Sequence, residues 1–209
     1  MFEDRFDAGL SLSGKLLSLK GRKGFLVLAI PRGGVVVGKV IADKLKIPSD
    51  VIIVRKIGAP NQSELAIGAV GPGGIIVRDE GLISKLGVKE EYLEKAIGEK
   101  RKEITDRLKK YRQGKSPLNL EDKTVILVDD GIATGATIEA AILYLRKKRT
   151  KKIILAVPVA PKDTAEKFKR LVDKLIILET PIYFGAVGEF YRNFPQVTDG
   201  EVIELLKPS

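Results

Sequence analysis

The chain's 209 residues are 44% hydrophobic and carry a net charge of +10, enough apolar content for the core of one α/β domain and too much for global disorder. It contains no Cys and no His, which excludes disulfides, thiolate nucleophiles and imidazole acid–base or metal chemistry; any general acid or base must be Asp, Glu, Lys or Tyr. No apolar run reaches the length of a membrane span and the acidic start at residues 1–6 has no signal core, so a soluble, cytoplasmic protein is expected, its excess cations suited to nucleic acid or to a polyanionic small substrate.

Residues 4–20 read as an amphipathic helix with Phe6, Leu10, Leu16 and Leu17 on one face and Gly21 as its stop. Phe25-Leu26-Val27-Leu28-Ala29-Ile30 is a buried strand broken by Pro31-Arg32-Gly33-Gly34, after which Val37, Ile41 and Leu45 mark a helix. Arg32 offers a fixed cation with donors suited to phosphate oxygens, and Gly33 and Gly34 let a ligand approach the main chain. A strand at 50–54 is followed by Arg55 and Lys56, at the edge where a parallel sheet binds ligands. Residues 57–63 hold Gly, Pro, Asn and Ser and read as a loop, while 64–70 and 75–77 form a hairpin about Pro72-Gly73-Gly74. Residues 88–112 make a long helix. Leu93, Ile97, Ile104, Leu108 and Tyr111 form its inner face, and Glu99, Lys100, Arg101, Lys102 and Glu103 read as solvated surface.

The most informative stretch is Val125-Ile126-Leu127-Val128-Asp129-Asp130-Gly131-Ile132-Ala133-Thr134-Gly135-Ala136-Thr137, a strand ending in two carboxylates, a short loop, and a helix marked by Ile138, Ala141, Ile142 and Leu145. Gly131 and Gly135 permit unusual backbone angles and close approach, Thr134 and Thr137 add hydroxyl donors, and the free N–H groups of the helix start favour an anion. This is a cradle for one phosphate. Two acids beside a phosphate make sense if the ligand also brings vicinal hydroxyls or a divalent cation; the alternative is an ordinary strand-to-helix turn with a solvated Asp pair. A ribose 5-phosphate meets both demands. No Lys follows Gly135, which excludes a Walker A loop, and the G-x-G-x-x-G spacing of a dinucleotide site is absent.

Downstream, the basic run 146–152 reads as a solvated helix end, with an RNA contact as the alternative. A strand at 153–157, a helix at 164–172 and a strand at 174–178 follow. The segment 180–194 gathers Tyr183, Phe184, Phe190, Tyr191 and Phe194, and 199–207 closes as a short helix. Strands alternating with helices give an α/β fold, a mostly parallel sheet flanked by helices on both faces, with a small hairpin.

The acid-pair loop resembles the binding motif for phosphoribosyl pyrophosphate (PRPP) in type I phosphoribosyltransferases, and the Pro31–Gly34 turn resembles that family's pyrophosphate loop. The resemblance covers 25–194 and implies one phosphoribosyltransferase-like domain over 1–209, with its core at 25–180 and a hood-like element from 1–20 and 181–209. It implies a Mg²⁺-assisted, PRPP-dependent transfer to a base with release of pyrophosphate, no membrane partner, no nucleic-acid partner, and a homo-oligomer. Asp129 and Asp130 are expected to hold the ribose hydroxyls and to be the protein's contribution to the metal; with Lys56 they form the expected catalytic set. Arg32, Gly33, Gly34, Arg55 and Lys56 are expected on the pyrophosphate. Gly131, Ala133, Thr134, Gly135, Ala136 and Thr137 are expected on the 5-phosphate, and Tyr183 and Phe184 under the base, with 57–63 as a mobile loop over the reacting centre. Hypoxanthine–guanine members place an acid where this chain has Ala133, which resembles the adenine and uracil branches; no further motif selects a base. The alternatives are a PRPP- or nucleotide-sensing regulator that binds nucleic acid, and a PRPP synthetase, for which 209 residues are short.

Overall fold

The computed structural model describes residues 1–207, and for Glu64 the backbone alone. Helix α1 (Arg5–Leu16) is capped by Asp4, whose side chain accepts from the Asp7 N–H. The remaining helices are α2 (Gly33–Leu45), α3 (Glu80–Lys85), α4 (Glu90–Arg112), α5 (Ala136–Lys147), α6 (Lys162–Lys169) and α7 (Asp199–Leu205). Strands β1 (Phe25–Ala29), β2 (Ser49–Val51), β6 (Thr124–Val128), β7 (Lys152–Val159) and β8 (Lys174–Glu179) form an all-parallel sheet in the order β2-β1-β6-β7-β8. Strands β3 (Arg55–Ala59), β4 (Gln62–Val70) and β5 (Ile76–Arg78) form a separate antiparallel sheet.

β6 is buried along its whole length, as a central parallel strand with both faces covered must be. The period of two sorts its neighbours. Leu26, Leu28, Val125, Leu127, Ile153 and Leu155 pack under α5 and Phe168, whereas Val27, Ile126, Val128, Ile154 and Ala156 pack under α1 and α2. The antiparallel sheet buries Ile57, Ala59, Ile67 and Val70 against α3, α4 and α7. α7 opens with a capping box from Thr198 and Glu201.

The sequence expectation for the inner face of α1 holds for Leu16 and fails for Phe6 and Leu17. Phe6 and Leu17 are each 55% exposed, and the buried stripe is Arg5, Ala8, Gly9, Leu12, Ser13 and Leu16. Gly9 explains the offset: a β-carbon there would stand 2.8 Å from Val40 Cβ, so small residues let α1 approach α2, and an apolar count overlooks them.

The 57–63 segment is also not a loop. β3 pairs with β4 through Ile57↔Gly68, Gly58↔Ala66 and Ala59↔Gln62, and only Pro60 and Asn61 make the turn. Gly58 serves close strand pairing, since a β-carbon there would meet the Ser63 main chain at 2.6 Å. Tyr92 Oη, from α4, donates to the Gly58 carbonyl at 2.9 Å and ties the hairpin down. The expected strand at 50–54 ends at Val51, and Ile52 to Val54 carry the chain, buried, from one sheet to the other. The hairpin about residues 72–74 matches the β4–β5 pairing, and α3 was not anticipated.

Candidate active site

The order β2-β1-β6-β7-β8 reverses direction between β1 and β6. The chain leaves β1 toward β2 through α2 and leaves β6 toward β7 through α5, so a crevice opens where the two connections part, at the carboxyl ends of the strands. The two glycine turns singled out in the sequence are those two connections.

They are in contact. A β-carbon on Gly34 would stand 2.8 Å from Asp129 Cα and 3.1 Å from the Val128 carbonyl oxygen, and one on Gly33 would overlap Asp130 Oδ2. The glycines therefore have a steric reason to be there whether or not a ligand comes close. The peptide between Pro31 and Arg32 is cis, and Arg32 sits at the amino end of α2. Gly135 caps α5 at φ 81°, with Phe168 of α6 packed where its side chain would be. Thr164 Oγ1 donates to the Ala133 carbonyl at 3.2 Å and steadies the outer limb of the loop. Ala133 and Thr134 are exposed, Ala136 and Thr137 half-buried.

A cleft of about 640 Å³ opens beside the acid loop. Ile30, Pro31, Asp129 and Thr137 line its floor, Arg55, Lys56 and Gly58 one wall, and Glu99, Lys100, Glu103 and Arg107 of α4 the other. The structure thus brings Asp129, Arg55, Lys56 and Thr137 to one cavity. Part of the α4 face expected to be mere surface belongs to it. Glu103 sits between Arg55 Nε (3.3 Å) and Lys100 Nζ (2.5 Å), and Arg107 Nη1 donates to Tyr111 Oη at 3.3 Å. Burial, and next the like charge of Arg107, pull the Arg55 guanidinium below its usual pKa, and its Nε has no hydrogen-bond partner of good geometry among the described residues. Cations held this close favour an anion between them.

The acid pair is asymmetric. Burial, then the charge of Asp130, hold the Asp129 carboxyl well above the ordinary carboxylate range. Asp130 Oδ2 instead accepts from Arg5 Nε at 2.7 Å. Tyr191 Oη donates to the Asp130 carbonyl at 2.6 Å; burial pushes its phenol up, so it stays a donor. Gly131 lies beneath Val187, placing the 187–194 segment over the start of the acid loop. Phe2 pairs with Tyr191 and packs with it and Ala8. Phe184 stacks on Phe190 at 5.3 Å, whereas Tyr183 is 90% exposed, and neither lines the cleft.

Arg5, Lys100, Glu103, Arg107 and Tyr191 were not anticipated. For α4 the signal was available: positions 100, 103 and 107 form one stripe beside the Ile97–Ile104 face. For Arg5 it was a charge three residues before Ala8 and seven before Leu12, on the buried stripe.

A family model for the phosphoribosyl transferase domain matches residues 5–189. The chain belongs to the phosphoribosyl transferase family. Two Mycobacterium tuberculosis proteins, named provisionally as phosphoribosyl transferases, are 39% identical to it over 206 residues, 99% of this chain and 46% of each relative. The chain spans about half the length of these curated relatives. The crystal structure of TT1426 from Thermus thermophilus superposes with a TM-score of 0.82 at 38% identity, covering 98% of this chain and 97% of that one. A Neisseria gonorrhoeae protein crystallised with ppGpp superposes at 0.50 over 99% of this chain and 93% of that one; at 15% identity it speaks for the fold alone. The mostly parallel, helix-flanked sheet is thus a type I phosphoribosyltransferase-like fold. Among the described residues no helix is long and apolar enough to cross a membrane.

Proposed function

We propose that the chain transfers the ribose 5-phosphate of PRPP to a nitrogenous base and releases pyrophosphate. The observation that carries this is the contact between the Pro31–Gly34 turn and the acid loop at the point where the sheet's strand order reverses, with a cation-walled cleft beside it. Two anion-binding turns separated by carboxylates match a sugar that carries phosphate at one end and pyrophosphate at the other.

Breaking the C1–pyrophosphate bond builds positive charge on the ribose ring and negative charge on the leaving group. Asp129 and Asp130 hold the ribose hydroxyls and stabilise the cationic ring. That nearby positive charge also draws the Asp129 carboxyl, raised in the free protein, toward its ionised form. Arg32, the amides of Gly33 and Gly34, Arg55 and Lys56 hold the leaving pyrophosphate. The loop from Gly131 through Thr137 anchors the 5-phosphate, so that binding far from C1 orients the reacting carbon. The 181–194 segment acts as the hood, with Tyr183 and Phe184 at its edge offered to the base.

The donor set fits a magnesium ion bound chiefly by substrate. Carboxylate oxygens are the hard ligands it takes, yet one of the four in the pair is engaged by Arg5. No cluster of three or more Asp or Glu forms a cage among the described residues. Asp129 and Asp130 would be its protein contacts. The ion supplies charge neutralisation of the phosphates.

The test is a screen for pyrophosphate release from PRPP and Mg²⁺ with a panel of purine and pyrimidine bases. Release matched by nucleotide formation with at least one base is expected. PRPP binding without release from any base would overturn transfer.

A further inference from the structure

Arg5 is the only charged residue among the buried ones described, at 7% exposure. Its Nε donates to Asp130 Oδ2 at 2.7 Å, its Nη1 donates to the Pro195 carbonyl at 2.8 Å, and its Cζ lies 3.7 Å from the centroid of the Phe194 ring. The same Nε stands 2.7 Å from where a β-carbon on Gly33 would project. One side chain from α1 therefore touches the turn after β1, the loop after β6 and the carboxyl-terminal segment.

A buried guanidinium is costly to desolvate, and a plain apolar residue usually serves a core as well or better. Arg5 is instead aimed at one member of an acid pair. The two acids end up with different surroundings: Asp129 lines the cleft, and Asp130 does not. Asp130 is compensated through Arg5 and fixed from the other side by Tyr191. Unpaired, two adjacent carboxylates repel, and their side chains have no reason to keep one arrangement.

Resting on the transferase reading above, we infer that Arg5 is the positioning residue of the acid pair. It pins Asp130 as a fixed, compensated carboxylate, which sets the spacing of the two ligand turns and holds the pair in the arrangement that meets the ribose. Arg5 itself touches no substrate.

The test is calorimetric titration with PRPP and Mg²⁺ of the wild type, Arg5→Lys, Arg5→Met, Asp130→Asn and the Arg5→Met/Asp130→Asn double variant, each checked for a cooperative melt. Arg5→Met is expected to weaken PRPP binding by at least about tenfold, because it leaves the partner charge uncompensated. Arg5→Lys should recover part of the loss, since a point charge compensates Asp130 but does not also hold Pro195 as a fork does. With Asn at position 130, Arg5→Met should cost little more in PRPP affinity, which a role through Pro195 and Phe194 alone would not produce. A folded Arg5→Met that binds PRPP as the wild type does, or that costs the same in both backgrounds, overturns the inference. If Arg5→Met does not fold, the cycle with Arg5→Lys is read in the same way. Failure of the wild type to bind PRPP is a separate result that removes the transferase reading itself.

Discussion

Replacing Gly34 with Ala tests the contact on which the site is built. In α2 an Ala in place of Gly gains about 1 kcal/mol from helix propensity. Here the new β-carbon would stand 2.8 Å from Asp129 Cα and 3.1 Å from the Val128 carbonyl oxygen, both main-chain atoms of a strand end and its loop. Overpacking costs about 1–3 kcal/mol, and the upper end applies because no flexible side chain yields. The net is a loss of about 1–2 kcal/mol, or roughly 2–8 °C in melting temperature for a chain of this size. Gly14→Ala in α1 is the control: nothing lies within 4 Å of its would-be β-carbon, so it should gain about 0.5–1 kcal/mol. Both variants are melted by calorimetry and titrated with PRPP. Gly34→Ala should melt lower and bind more weakly, and Gly14→Ala should melt higher and bind normally. A Gly34→Ala protein that gains stability as Gly14→Ala does, with PRPP affinity intact, would refute the close register of the two turns.

Asp129→Asn combined with Asp130→Asn should abolish PRPP binding with the fold intact; a folded double variant of unchanged affinity, seen by titration and circular dichroism, would refute the assignment. Leu12→Ala should cost about 2–5 kcal/mol in denaturant unfolding, and Leu17→Ser less than about 0.5 kcal/mol, because the first is buried and the second 55% exposed. The Lys110 and Tyr111 hydrogen bonds hold Asp199 down to about 2. A depressed carboxylate contributes stability above its unfolded value near 4, and that contribution fades as the pH falls through about 2. The melting difference between wild type and Asp199→Asn should therefore narrow below pH 4, and a constant difference down to pH 2 would count against it.

Much of this architecture was legible because strong local signals agreed with the global fold. The Val125–Val128 run ending in Asp129 and Asp130 specified a strand, a turn and the start of a helix, and the structure places the strand between β1 and β7. The Pro31–Gly34 turn was legible as a strand-to-helix turn, but its packing against the acids was not, since that contact joins positions about a hundred residues apart. The 57–63 segment misled because Gly, Pro, Asn and Ser signal turns from composition alone; Gly58 is there for close pairing to β4. Arg5 was invisible for a related reason. Its meaning depends on Asp130, Phe194 and Pro195, which only the folded chain brings to it. The α4 stripe was visible as spacing but not as function, because mixed charges on a helix are ordinarily solvated. Its partner Arg55 lies on another element.

The most direct test of the central claim is isothermal titration of the purified chain with PRPP, with and without Mg²⁺. The account predicts saturable binding that Mg²⁺ strengthens and that Asp129→Asn with Asp130→Asn removes. No binding under either condition would contradict it.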